Sequence, residues 1–235
     1  MKNVIISISI SILMVCLISC QKQIENGLVA HYPFDGDASN QIGEGNDGNV
    51  GGVSLVDDRF GNENSAYFFD GVDDTIFVEV TGMPNIEAPQ SFSWWYWVSE
   101  IPTFSDAFGA GNMIAMVNPE SGVGIQFGFR GQGYETLGLD GWNWGGNTLL
   151  EADPPAVNVW HFCVYTFDGS THRFYIDGAE TASSTATTQQ GSPSILMFGN
   201  YPSGDQYFAG RLDDVRIYNR ALKVEEIQSL YSAKE

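Results

Sequence analysis

The chain carries 29 Asp and Glu side chains, and three places gather them. Asp35 and Asp37 lie two apart around Gly36 and can aim their oxygens at one point, with Asn40 near enough to add an amide oxygen. Calcium takes about 6 to 8 oxygens at roughly 2.3–2.6 Å from carboxylates, carbonyls and water, so this is a candidate calcium loop. Asp70-Gly71-Val72-Asp73-Asp74 is a second acidic group, but Asp-Gly pairs make turns, and its charges are expected to face solvent. Asp213-Asp214 lies inside Gly210–Leu222, an otherwise β-patterned run. A carboxylate pair there breaks the alternation as a bulge does, and burying it demands a cation or donors.

The aromatic residues suggest a different chemistry. Aromatic faces pack on the apolar faces of sugars while polar side chains take the hydroxyls. Trp142 and Trp144 lie two apart beside Gly145-Gly146-Asn147 and can share one face, with Asp140 as the polar neighbour on that strand. Trp95 is a weaker candidate, and Trp94, Trp97 and Trp160 read as core. Polysaccharide is therefore the expected partner.

Other functions are disfavoured. With 10 Lys and Arg the formal charge is −19, and no basic cluster exists for nucleic acid. His31, His161 and His172 are isolated, without the Cys/His pairing that zinc requires. Glycoside cleavage needs two carboxylates across a cleft, whereas Glu79, Glu100 and Glu135 stand alone. No catalytic residue is assigned and a non-enzyme is expected. Cys163 lies in an apolar strand pattern and reads as a packed, inert thiol.

The N-terminus reads as an address. Lys2 precedes an apolar run from Val4 to Ile18, of signal-peptide length and short for a membrane span. The run ends Leu17-Ile18-Ser19-Cys20, which resembles a bacterial lipobox. That resemblance implies removal of residues 1–19 and lipidation of Cys20. Residues 20–26 then form a tether, 27–235 form one domain, and the lipid is the only membrane contact. Gln21 in place of Asp points to an outer-membrane lipoprotein of the cell envelope.

The elements that must position these groups are mostly strands. Gly27–Phe34, Ser65–Phe69, Thr75–Val80 and Ser91–Val98 alternate. In the last of these, bulk on both faces predicts a strand covered on both sides. Met113–Val117 and Val123–Phe129 follow, then a hairpin from Leu137 to Leu150. Val159–Phe167 and Thr171–Ile176 are joined at Asp168-Gly169, with a second turn at Asp177-Gly178, so a meander is expected. Ile195–Gly199 and Tyr207–Arg220 complete the set. The Gly- and Asn-rich segment 41–52 reads as loop. Only Val224–Leu230 has helical spacing. About a dozen strands and one terminal helix give an all-β fold.

Four segments, in order, resemble the laminin-G-like, or concanavalin A-like, domains. They are Leu28–Gly36, Phe69–Asp74, Trp160–Ser170 with Phe174–Gly178, and Phe208–Leu222. The resemblance implies a jelly-roll sandwich of two antiparallel sheets with the short C-terminal helix. It also implies that the first and last strands are neighbours and that Asp213, with Asp214 beside it, completes a structural calcium site with Asp35 and Asp37. Related glycosidases carry a Glu-x-Asp-x-Glu strand that this chain lacks. The expectation is a non-catalytic, surface-anchored carbohydrate-binding module. An adhesion or protein-interaction module is the alternative, and a hydrolase or lyase comes third.

Overall fold

A computed structural model describes residues 23–101, 111–129, 139–143, 147–152, 156–202, 204 and 206–233. Cys20 and Trp144 lie outside them, as do the side chains of Asp140 and Trp142. Fifteen strands are present among the described residues. The first eight are β1 (Leu28–Tyr32), β2 (Asn49–Gly51), β3 (Ser54–Val56), β4 (Ala66–Asp70), β5 (Thr75–Glu79), β6 (Gln90–Trp97), β7 (Asn112–Asn118) and β8 (Val123–Phe129). Then come β9 (Leu139–Asn143), β10 (Asn147–Ala152), β11 (Trp160–Phe167), β12 (His172–Ile176), β13 (Ala179–Ser184), β14 (Ile195–Phe198) and β15 (Ala209–Tyr218). Helix α1 spans Val224–Ser232.

The strands form two antiparallel sheets. Sheet A runs β13-β12-β11-β6-β15-β4-β3, with β1 also paired to β15. Sheet B runs β10-β9-β8-β7-β14-β5-β2. The expected jelly-roll sandwich is therefore present, with its first and last strands adjacent. The segment read as loop contains β2, whose three residues are all exposed and bond to β5 at the sheet edge. An edge strand this short has no buried face, so it leaves no alternation to read.

Period-2 alternation places the core. Phe92, Trp94 and Tyr96 of β6 point inward, and Phe127 of β8 reaches across from the other sheet. Its ring centroid is 5.1 Å from Phe92, 5.3 Å from Trp94 and 4.9 Å from Tyr165. Cys163 is fully buried in the same core, and burial pushes its thiol pKa up, as an inert thiol requires. Gly199 closes β14 with φ +82°, and a Cβ there would lie 2.1 Å from the Phe69 ring. Only glycine fits that turn.

Sheet A is covered on its outer face as well. Ile227 and Leu230 of α1 pack on Trp95, Phe162, Val164 and Tyr175. Tyr231 stacks on Trp95 at 5.9 Å and on Phe162 at 6.1 Å. Glu226 fixes the helix start by accepting the Lys223 N–H at 2.7 Å and two Arg220 N–H groups at 2.8 Å each. Only part of the outer face lies under this helix.

Candidate functional site

The Asp213-Asp214 pair marks the place where one edge of β15 changes partner. Ala209–Leu212 pair with β4, and Val215–Tyr218 pair with β1. Along the opposite edge, the register with β6 shifts between Asp213 and Arg216. Asp214 adopts φ +52°, the bulge conformation that the broken alternation predicted. Both carboxylates end up buried, at 2% and 4% exposure.

Cationic and hydrogen-bonding partners converge on them. The Arg59 guanidinium bonds the Asp213 carboxylate and reaches Asp214 Oδ2 at 3.3 Å. Arg216 bonds the same Asp214 oxygen, and His31 Nε2 lies 2.9 Å from Asp214 Oδ1. Arg59 itself lies over Trp95, 4.7 Å from the ring centroid, and over Phe60 at 4.4 Å. Burial pushes the Asp213 carboxyl up, opposed by Arg59. Burial acts on Asp214 in the same sense, but Arg216, the His31 hydrogen bond and Arg59 outweigh it and hold that carboxyl below the usual range.

This arrangement differs from the expected calcium site. The Arg59 guanidinium occupies the place a cation would take at Asp213, so Asp213 and Asp214 do not fit calcium coordination. Asp35 and Asp37 are exposed, and Asp37 Oδ1 accepts the Ser39 N–H at 2.9 Å. Asn40 is spent on its own loop, accepting the His31 and Ile42 N–H groups at 3.0 and 3.1 Å. Among the described residues, the group of three carboxylates whose oxygens all lie within 4.8 Å of one another is Asp70, Asp73 and Asp74. They also behave as turn formers. Asp70 Oδ1 accepts the Val72 N–H and Asp74 Oδ2 accepts the Asp70 N–H, each at 2.8 Å.

On sheet B, Trp142 pairs in register with Gln126 and Thr148, and Asp140 with Gly128 and Glu151. Gln126 is buried at 5% exposure, and its Oε1 has no hydrogen-bond partner. The sequence-derived pair of Trp142 and Asp140 therefore lies on the strand beside a buried, unsatisfied amide.

The outer face of sheet A holds a set of residues that sequence reasoning assigned elsewhere. Trp160 pairs with Trp97, Trp97 with Arg211, and Arg211 with Phe68. Paired residues project to the same face, so these four form one row across β11, β6, β15 and β4. All four are half-buried. The Arg211 guanidinium lies over the Trp97 ring, 4.6 Å from its centroid. The next row inward, Phe162–Trp95–Asp213, is the one covered by Tyr231 and Arg59. Trp97 and Trp160 are thus only partly covered: Trp160 packs against the outer cluster of Trp95 and Phe162, and both rings stay partly exposed at its rim. The signal for Arg211 was its alternation with Leu212, which puts an arginine on the face opposite the core.

At the β11–β12 end, His161 Nδ1 lies 2.8 Å from Asp177 Oδ2, and Nε2 lies 2.9 Å from the Ala156 carbonyl oxygen. Both partners are acceptors, so the bonded form is the imidazolium. The Asp177 hydrogen bond raises the His161 pKa against the opposing effect of burial. A raised histidine pKa gives stability that is complete below the unfolded value of about 6.5 and is lost as pH rises through the folded value. His172, whose pKa burial lowers, titrates in the opposite sense. The melting-temperature gap between wild type and His161→Gln is therefore expected to shrink as pH is raised above about 6.5. A gap that is constant or widening over that window would count against the imidazolium.

Comparison with known proteins agrees with the architecture. The family model for the concanavalin A-like lectin/glucanases superfamily matches residues 62–228. Domain 4 of AbnA, an extracellular arabinanase from Geobacillus stearothermophilus in complex with arabinotriose, superposes with a TM-score of 0.68. It is 21% identical, over 87% of this chain and 98% of that one. The binding domain of Paraclostridial Mosquitocidal Protein 1 gives 0.66 at 18% identity, over 89% of this chain and 52% of that one. Trypanosoma rangeli sialidase gives 0.63 at 14% identity, over 93% of this chain and 38% of the enzyme. An asparagine-rich protein from Margaritifera margaritifera is 36% identical over 59 residues, 25% of this chain and 8% of that protein. Two antiparallel sheets in this strand order, with the family model matching most of the chain, make it a member of the concanavalin A-like lectin/glucanase superfamily.

Proposed function

We propose that this chain is a non-catalytic carbohydrate-binding module, and that the Trp160–Trp97–Arg211–Phe68 row is its glycan platform. One observation carries the reading: two tryptophans lie side by side in register and half-exposed on an outer sheet face that the helix leaves open. Tryptophan faces suit the C–H faces of sugar rings, and an adjacent guanidinium supplies donors for ring oxygens and hydroxyls. The family and the arabinotriose-bound relative of the same fold support a sugar as the ligand. Anchoring through Cys20, with the module displayed at the cell envelope, belongs to the same proposal. A mature N-terminus without lipid on Cys20 in mass spectrometry would remove that part of it.

The test is a glycan array followed by titration calorimetry. Trp97→Ala is expected to weaken binding on the order of tenfold, which corresponds to about 1.4 kcal/mol. Trp142→Ala tests sheet B in the same assay. If Trp142→Ala abolishes binding and Trp97→Ala leaves it unchanged, the site belongs on sheet B. A wild-type protein that binds no glycan on the array and instead captures a protein partner would favour the adhesion reading.

A further inference from the structure

Arg211 is the exception among the described arginines. Arg59 pairs with Asp213 and Asp214, Arg216 with Asp214, Arg173 with Asp168, and Arg220 with Glu226. Arg211 lies on the same strand as two of those carboxylates, in a chain of net charge −19, and its side chain has no ion pair or hydrogen bond among the described residues. Its Nε is buried without an acceptor. The Trp97 ring, its centroid 4.6 Å from the guanidinium carbon, restricts where the fork can lie. A buried donor without a partner is costly in the free protein. A guanidinium fork matches a carboxylate, which it can bind through two parallel hydrogen bonds.

We infer that the Trp97–Arg211 pair selects a carboxylate-bearing saccharide, a uronic acid unit within a polysaccharide. The inference rests on the reading of this row as a glycan platform and adds the class of sugar. Strands β11, β6 and β15 are successive, so Trp160 and Arg211 are separated by two strand spacings, about 10 Å. A chain lying across the row puts one ring on the tryptophans and the carboxylate of a neighbouring unit at Arg211. Phe68 closes the row beyond it. The negative charge elsewhere on the protein argues against a diffuse polyanion surface. Selection would therefore come from this one pair.

The experiment uses oligogalacturonides in free-acid form and the same oligomers fully methyl-esterified, titrated into wild type, Arg211→Gln and Trp97→Ala. Wild type is expected to bind the acid form at least about tenfold more tightly than the ester, a difference of about 1.4 kcal/mol. Arg211→Gln should erase that preference while still binding the ester, and Trp97→Ala should weaken both forms. Unchanged thermal unfolding of Arg211→Gln establishes that the change is local. Equal wild-type affinity for acid and ester, or a preference that survives in Arg211→Gln, would overturn the inference and leave the carbohydrate reading intact. Tighter binding of a sulfated oligomer than of the carboxylated one would also overturn it. If wild type binds neither oligomer nor any glycan on the array, the carbohydrate reading itself fails.

Discussion

Asp214→Ala is expected to lower the stability of the domain by about 3–5 kcal/mol. At this chain length that corresponds to a fall in melting temperature on the order of 10 °C. The carboxylate joins Arg59, Arg216 and His31 at one buried point, and removing it takes a shared negative charge from two guanidinium groups, of which Arg59 keeps its bond to Asp213. The cost comes mainly from the charges left behind, because a buried pair that is intact contributes little net stability. Asp214→Asn keeps the shape and removes the charge, so it should be nearly as damaging. The low Asp214 pKa makes its contribution present above the ordinary Asp value of about 3.9 and lost as pH falls below it. Asp213, held up by burial, titrates in the opposite sense, so the comparison with Asp214→Asn isolates the Asp214 part. Denaturant midpoints of wild type and both variants at neutral pH measure the effect. A loss under about 1 kcal/mol would mean that solvent already screens the cluster.

The second large effect is expected at Phe127. It is 1% exposed and is the sheet B residue around which Phe92, Trp94, Tyr165 and Phe174 of sheet A gather. Phe127→Ala should cost about 3–5 kcal/mol, the lost transfer energy plus a cavity between the sheets. The surrounding rings are held in regular strands and cannot collapse far to fill it. Phe127→Leu should cost less than half as much, because it retains most of the apolar volume. Urea unfolding with an unchanged slope and a lowered midpoint is the expected signature. Equal losses for the two variants would show that ring contacts, and not volume, set the energy at this site.

Most of the fold could be read from local pattern. The Asp-Gly turns at Asp168 and Asp177 and the alternation around them specify the β11–β12–β13 meander without any tertiary information. The face assignment of β6 was equally legible: Phe92, Trp94 and Tyr96 point inward. Alternation could not tell which outward residues would be covered. Trp95 is hidden by Tyr231 and Arg59, which come from the helix and from a loop 36 residues upstream, while Trp97, two residues on, is left open. The carboxylate pair failed in the same way. Its need for a cation was visible in the sequence, but Arg59 lies 154 residues from Asp213, beyond the reach of spacing arguments. The structure sets Arg59, and not the Asp35 and Asp37 loop, against Asp213.

The change of partner along β15 also governs the order in which the chain can fold. This strand bonds to β1, β4 and β6 and carries the register contact between Leu28 and Tyr218. Until it is in place, β6 and β4 have no neighbour in common and sheet A exists as three separate pieces, β13-β12-β11-β6, β4-β3 and β1 alone. A growing or threaded chain therefore holds Phe69, Phe92 and Trp94 in partly formed hairpins through most of its length. Contacts that close so late in the sequence are slow to form, and they leave apolar strand edges open in the meantime. The same residues that knot the finished sheet thus make its assembly an all-or-nothing event that waits for the final strand.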